Sequence, residues 1–109
     1  MENNLRDMER VREAYWSRYE RTASIRLRWR ALTVRHCFHV LPGESILELG
    51  AGSGLWTEHL AEATKAECPI TAAAFNADLA EQARAKCIPN TTVIEVKDLL
   101  RDLEGQQFD

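Results

Sequence analysis

Glu48-Leu49-Gly50-Ala51-Gly52-Ser53-Gly54 sets three alternating glycines behind an acid. Glycine lets the backbone turn through left-handed conformations and admits a ligand where a Cβ would otherwise stand. A helix that begins just after such a turn presents its first free N–H groups to that ligand. Here an apolar, strand-like run from Ser45 to Leu49 precedes the turn and a helical period follows from Leu55. In that setting the segment reads as a cradle for a small polar molecule, with a tight structural turn as the plainer alternative. Spacing narrows the chemistry. The dinucleotide fingerprint G-x-G-x-x-G needs a glycine where Leu55 stands, and no G-K-[ST] follows as in a P-loop. A carboxylate at the strand end suits a cationic amine and would repel a pyrophosphate.

The elements that must hold this turn can be traced by period. Leu5, Met8, Val11, Tyr15 and Tyr19 recur at three- and four-residue steps, predicting an opening amphipathic helix whose apolar stripe needs a partner surface. From Thr22 a second helix carries two stripes, Ile25, Trp29, Leu32, His36, His39 and Leu27, Ala31, Val34, Phe38, Leu41, with Pro42-Gly43 as its stop. Then the period changes. Ser45–Leu49 predicts a buried parallel strand, Leu55–Ala66 a crossover helix, and Pro69–Phe75 a second strand weakened by its alanine run. Asn76 is placed to N-cap a helix over Ala77–Lys86, and the β-branched run Thr91–Val96 predicts a third strand leading into a short turn at Lys97-Asp98-Leu99. The order βαβαβ with right-handed crossovers is half of a doubly wound, Rossmann-like α/β sheet whose ligands bind beyond the strands' carboxyl ends. We expect residues 1–41 to form a helical cap. Residues 42–109 should form the sheet half, cut before a fourth strand that Gln107-Phe108-Asp109 would begin.

Ile46-Leu47-Glu48-Leu49-Gly50-Ala51-Gly52-Ser53-Gly54, with Pro42-Gly43 ahead of it, resembles motif I, E/D-x-G-x-G-x-G, of class I S-adenosyl-L-methionine (SAM) dependent methyltransferases. The resemblance runs from about Pro42 to Asp109. It implies SAM as cofactor and transfer of its sulfonium methyl to an oxygen, nitrogen or carbon nucleophile. By resemblance, Glu48 holds the methionyl ammonium, often through water, and Gly50, Ala51, Gly52 and Gly54 let the backbone pass close to the cofactor. Asp98 matches the acid that accepts from the adenine amino group, a role that can coexist with capping the following turn, and Leu99 can pack on the ring. One position departs from the family pattern: Ala74 stands where an acid commonly grips both ribose hydroxyls. Asn76 and, a turn later, Asp78 are the nearest substitutes, and Phe75 can pack on the adenine or in the core. Losing such a charge-assisted contact costs about 1.5–3 kcal/mol of cofactor affinity.

Composition sets the outer bounds. The chain has 109 residues, 45% of them hydrophobic, which is enough for one modest core. Its net charge is −3, but residues 1–41 carry nine arginines against five acids while residues 42–109 carry five bases against twelve. The basic lead can dock on the acidic remainder, attract an anion or touch RNA, or both parts can simply be solvated. A small-molecule methyl acceptor is the preferred substrate class, and nucleic acid is disfavoured by the acidic balance. The rival readings are a catalytically inactive SAM-binding or interaction module, an RNA methyltransferase, and an NAD(P)-binding oxidoreductase fragment. The three cysteines form no C-x-x-C pair, no apolar signal segment opens the chain, and no run is long enough to span a bilayer, so a cytoplasmic protein without integral membrane association is expected. His36, Cys37 and His39 lack a fourth ligand at zinc spacing, and no catalytic triad can be assembled. No metal and no catalytic residue is assigned. A half sheet with an open first-strand edge and an apolar face invites homodimerisation.

Overall fold

The computed structural model describes residues 2–18 and 20–109. Two helices, α1 (Glu2–Arg18) and α2 (Glu20–Cys37), lead into β1 (Ile46–Leu49), α3 (Leu55–Ala63), β2 (Ile70–Ala74), α4 (Ala77–Ala85), β3 (Thr91–Glu95) and α5 (Leu99–Asp102). The sheet has the order β1-β2-β3, all parallel, with Ile46 beside Ile70 and Ala73 beside both Leu49 and Ile94. This is the expected α/β half sheet. Its element boundaries fall within a few residues of those read from the sequence, mostly shorter at the helix ends. Lys65 and Ala66, included in the crossover helix by the pattern, take φ of 54° and 55° and end it.

Alternation along each strand assigns the two faces. Ile46 and Ile70 pack with Leu60 and Ala61 of α3, Ile88 and Trp56 on one side; Leu47, Ala73 and Ile94 pack with Phe75, Val96, Leu99 and Leu5 of α1 on the other. The alanine run that weakened the second strand in the sequence suits its actual place. Ala72, Ala73 and Ala74 are fully buried in the central strand, where short side chains let neighbouring elements come close. The chain's last residue reaches β1: Asp109 N–H donates to Ser45 O at 2.9 Å, and Ser45 N–H donates to the Asp109 carboxylate at 2.8 Å.

The helical lead corrects two expectations. On α1 the apolar stripe is not the docked face: Met8, Val11 and Tyr15 are exposed, Leu5 is half-buried, and Tyr19 lies outside the described residues. The buried residue is Glu9. Its carboxylate meets loop N–H groups that would otherwise be buried without partners, a cost of about 1–3 kcal/mol each that outweighs leaving the stripe in water. On α2 only one of the two stripes is used. Leu27 and Ala31 are buried, while Ile25, Trp29, His36 and His39 are exposed and Phe38 and Leu41 end the other stripe in solvent. The basic lead does meet the acidic remainder through two exposed ion pairs, Arg10–Asp78 at 3.1 Å and Arg28–Glu62 at 3.7 Å, each worth about 0–1 kcal/mol.

Candidate functional site

The glycine turn is built as its spacing demands. Gly50 and Ala51 both donate their N–H groups to Ala73 O, at 2.9 and 3.0 Å, which ties the turn to the end of β2. Gly54 then caps α3 in a left-handed conformation, φ 85°, and a Cβ there would stand 3.1 Å from Ile88 Cδ1. At Gly52, φ is 57° and a Cβ would come within 2.5 Å of the Glu13 carboxylate. Both positions disfavour larger residues by their left-handed conformation, and a side chain would also displace the Glu13 carboxylate at Gly52 and press on Ile88 at Gly54.

Glu48, one residue before the end of β1, faces the α3 side, where the Thr57 hydroxyl donates to its carboxylate. Burial pushes the Glu48 carboxyl up to about 7, the Thr57 hydroxyl partly offsets that, and the negative charge of Glu9 adds to it. The group is thus poised to ionise near neutrality and to gain most from a cation placed beside it.

Two carboxylates from α1 complete the turn, and the sequence reading missed both. Glu9 accepts from Gly52 N at 3.1 Å, Phe75 N at 3.0 Å, Asn76 N at 3.2 Å and Asn76 Nδ2 at 2.8 Å. Glu13 accepts from Ser53 N at 3.3 Å and from the Ser53 hydroxyl. The one available signal was their i, i+4 spacing, which puts both on one helix face.

A cavity of about 690 Å³ opens beside Glu48, Leu49, Gly50 and Ala51. That is within the range of small-molecule sites. Trp16, Leu27, Trp29, Val34, Leu55 and Trp56 line it with apolar and aromatic surface, Arg12, Arg30, Glu9 and Glu13 add charge, and the buried Trp56 indole nitrogen has no hydrogen-bond partner among the described residues. Trp16 and Trp29 border this cavity, and Tyr15 is exposed away from it. Glu9, Arg12, Leu49 and Gly50 also line a smaller cavity of about 130 Å³ that includes Phe75 and Leu99. The site residues named from sequence thus divide. Glu48, Gly50 and Ala51 share the large cavity, and Phe75 and Leu99 share the small one with Gly50. Gly52 and Gly54 are buried within the turn.

Asn76 sits at the N-cap position of α4 but makes no capping bond; its amide donates instead to Glu9 and to Arg6 O at 3.3 Å. Asp98 is exposed and caps α5, accepting from Leu100 N at 3.1 Å and Arg101 N at 3.3 Å. Asp102 reaches back to Asp98 N and Lys97 N, and those bonds hold its carboxyl below the usual range. Ala74 is fully buried and places no carboxylate at the end of β2; a carboxylate that does reach the main chain there is Glu9, which accepts from Phe75 N.

Cys37, Cys68 and Cys87 are free thiols, and among the described residues no helix is long and apolar enough to cross a membrane. No curated protein matches the chain. The profile of the ubiE/COQ5 methyltransferase family, whose members are class I SAM-dependent methyltransferases, matches residues 10–107, from within α1 to the last residues of the chain. With the strand–glycine turn–helix geometry, that span places this chain in the ubiE/COQ5 methyltransferase family.

Proposed function

We propose that this SAM-dependent methyltransferase methylates a small molecule, with the cofactor at the Glu48–Gly54 turn and the acceptor in the adjoining aromatic-walled cavity. The observation that carries the reading is the cavity of about 690 Å³ joining the turn to Trp29 of α2 and Trp56 of α3. A cleft of that size that sets aromatic walls beside the charged groups of Glu48, Arg12 and Arg30 suits a small molecule with both apolar and polar parts. Bound there, SAM would supply an electrophilic methyl, its sulfonium becoming a thioether, and the proton of the acceptor's nucleophile would pass to solvent. What the chain contributes is position. Glu48 holds the methionyl ammonium, its ionised form being stabilised by that charge. Gly50, Ala51, Gly52 and Gly54 keep side chains out of the approach, and Phe75 and Leu99 offer apolar surface for the adenine with Asp98 at its edge, while Asn76, buried and bonded to Glu9, would have to release that bond to reach the ribose. Holding two reactants in line converts a bimolecular step into one within a complex, so no acid or base need be built into the wall.

An RNA acceptor is the second reading, favoured by the arginines of α1 and α2. Incubation with methyl-labelled SAM and separated small-molecule and RNA fractions of a cell extract tests the choice. Label is expected in the small-molecule fraction; label confined to RNA, with a steep salt dependence, would replace the reading. The reading also includes self-association through the open side of β1, where Leu49 is half exposed. Light scattering that shows only monomer at high concentration removes that part.

A further inference from the structure

Helix α1 occupies the cofactor turn with its own acids. The Glu9 carboxylate faces four N–H groups, those of Gly52, Phe75 and Asn76 in the main chain and the Asn76 amide, at 2.8–3.2 Å. A carboxylate offers about four lone-pair sites, so Glu9 has none left for a hydroxyl of a bound ligand. Glu13 does the same at the next residue, taking Ser53 N–H and hydroxyl and closing over Gly52. These are the main-chain donors that the turn and the start of α4 would otherwise present to an acceptor-bearing ligand. Glu9 also stands between the two cavities, lining both. Met8, Val11 and Tyr15 of α1 are exposed, so apart from Leu5, which packs on the core, the helix docks chiefly through its carboxylates. Such a contact is directional and is replaceable by another set of acceptors.

Resting on the function proposed above, we propose that α1 is an intrasteric lid in which Glu9 and Glu13 mimic the acceptor groups of SAM and must be displaced for the cofactor to bind. SAM carries a carboxylate and ribose oxygens that can satisfy the same N–H groups. Apparent affinity is then the intrinsic affinity reduced by the fraction of molecules with the lid open. The departure at Ala74 fits this arrangement, because a carboxylate on β2 would crowd and repel the Glu9 charge docked at that strand's end.

The test is calorimetric titration of the full chain and of a Glu9→Gln, Glu13→Gln variant with S-adenosylhomocysteine. It is combined with hydrogen exchange of the wild-type α1 amides with and without saturating ligand. The lid predicts that the variant binds about tenfold tighter or better, and that ligand lowers protection across residues 5–16 of the wild type. The exchange measurement stands even if the variant fails to fold. Weaker binding by a folded variant would mean that the two acids grip the ligand, and unchanged α1 protection at saturation would mean that the helix stays closed; either result overturns the lid alone. Absence of binding by both folded proteins overturns the cofactor reading and the lid with it.

Discussion

Glu48 gives the protein a pH dependence whose sign can be worked out in advance. Its carboxyl is held at about 7, against 4.5 for an unperturbed glutamate, chiefly by burial. Between those values the folded chain keeps a proton that the unfolded chain has lost. The contribution of this group to stability is therefore fully present below pH 4.5 and disappears as pH rises through about 7. At about 1.4 kcal/mol per pH unit between 4.5 and about 7, this amounts to about 3–4 kcal/mol. Glu48→Gln keeps an acceptor for the Thr57 hydroxyl and the shape of the site but does not titrate. Urea unfolding of both proteins should show the wild type losing about 2–3 kcal/mol relative to the variant between about pH 5 and pH 8. With an ordinary urea slope for a small domain, the relative midpoint moves by roughly 1–2 M. Ligand binding carries the same signature. If an ammonium is held by ionised Glu48, the affinity for S-adenosylhomocysteine falls about tenfold per pH unit below 7, and binding there releases a proton to the buffer. A wild-type-minus-variant stability difference that stays flat over this range would refute the reasoning, because it would mean that Glu48 is solvated and ordinary.

Three further substitutions probe the scaffold around the site. Gly54→Val puts a branched side chain at φ 85° with Ile88 3.1 Å from its Cβ, and should destabilise the fold by about 2–4 kcal/mol in thermal melts. Ile70→Ala removes one of the largest fully buried side chains, where α3, Ile88 and β1 converge, and should cost about 2–5 kcal/mol by chemical denaturation. Asp98→Ala deletes the cap of α5 and should cost about 0.5–2 kcal/mol; a much larger loss of S-adenosylhomocysteine affinity than of stability would show that Asp98 also touches the ligand.

The glycine turn was legible in the sequence because its determinants are local. A strand, a sharp turn needing left-handed backbone and a helix start lie within a dozen residues, and each leaves a compositional mark in Ile46–Leu49, Gly50–Gly54 and Leu55 onward. The parallel sheet followed from the same logic, since βαβ order restricts the crossovers. What the pattern misjudged was α1. Periodicity identifies which face of a helix is apolar, but burial there was decided by the unpaired N–H groups of Gly52, Ser53, Phe75 and Asn76, forty or more residues away. Glu9 and Glu13 looked like part of a solvated face because nothing local says which loop they will meet. The alanines of β2 misled in a milder way: their low strand preference was outweighed by the close packing that a central strand requires.

The most direct test of the cofactor turn is calorimetric titration of the folded chain at pH 8 with S-adenosylhomocysteine, alongside NAD and the Glu48→Ala variant. Saturable binding of S-adenosylhomocysteine, no heat with NAD, and loss of binding in Glu48→Ala are the predicted results. Binding of NAD in its place, or S-adenosylhomocysteine affinity that is indifferent to residue 48, would contradict the assignment of this turn.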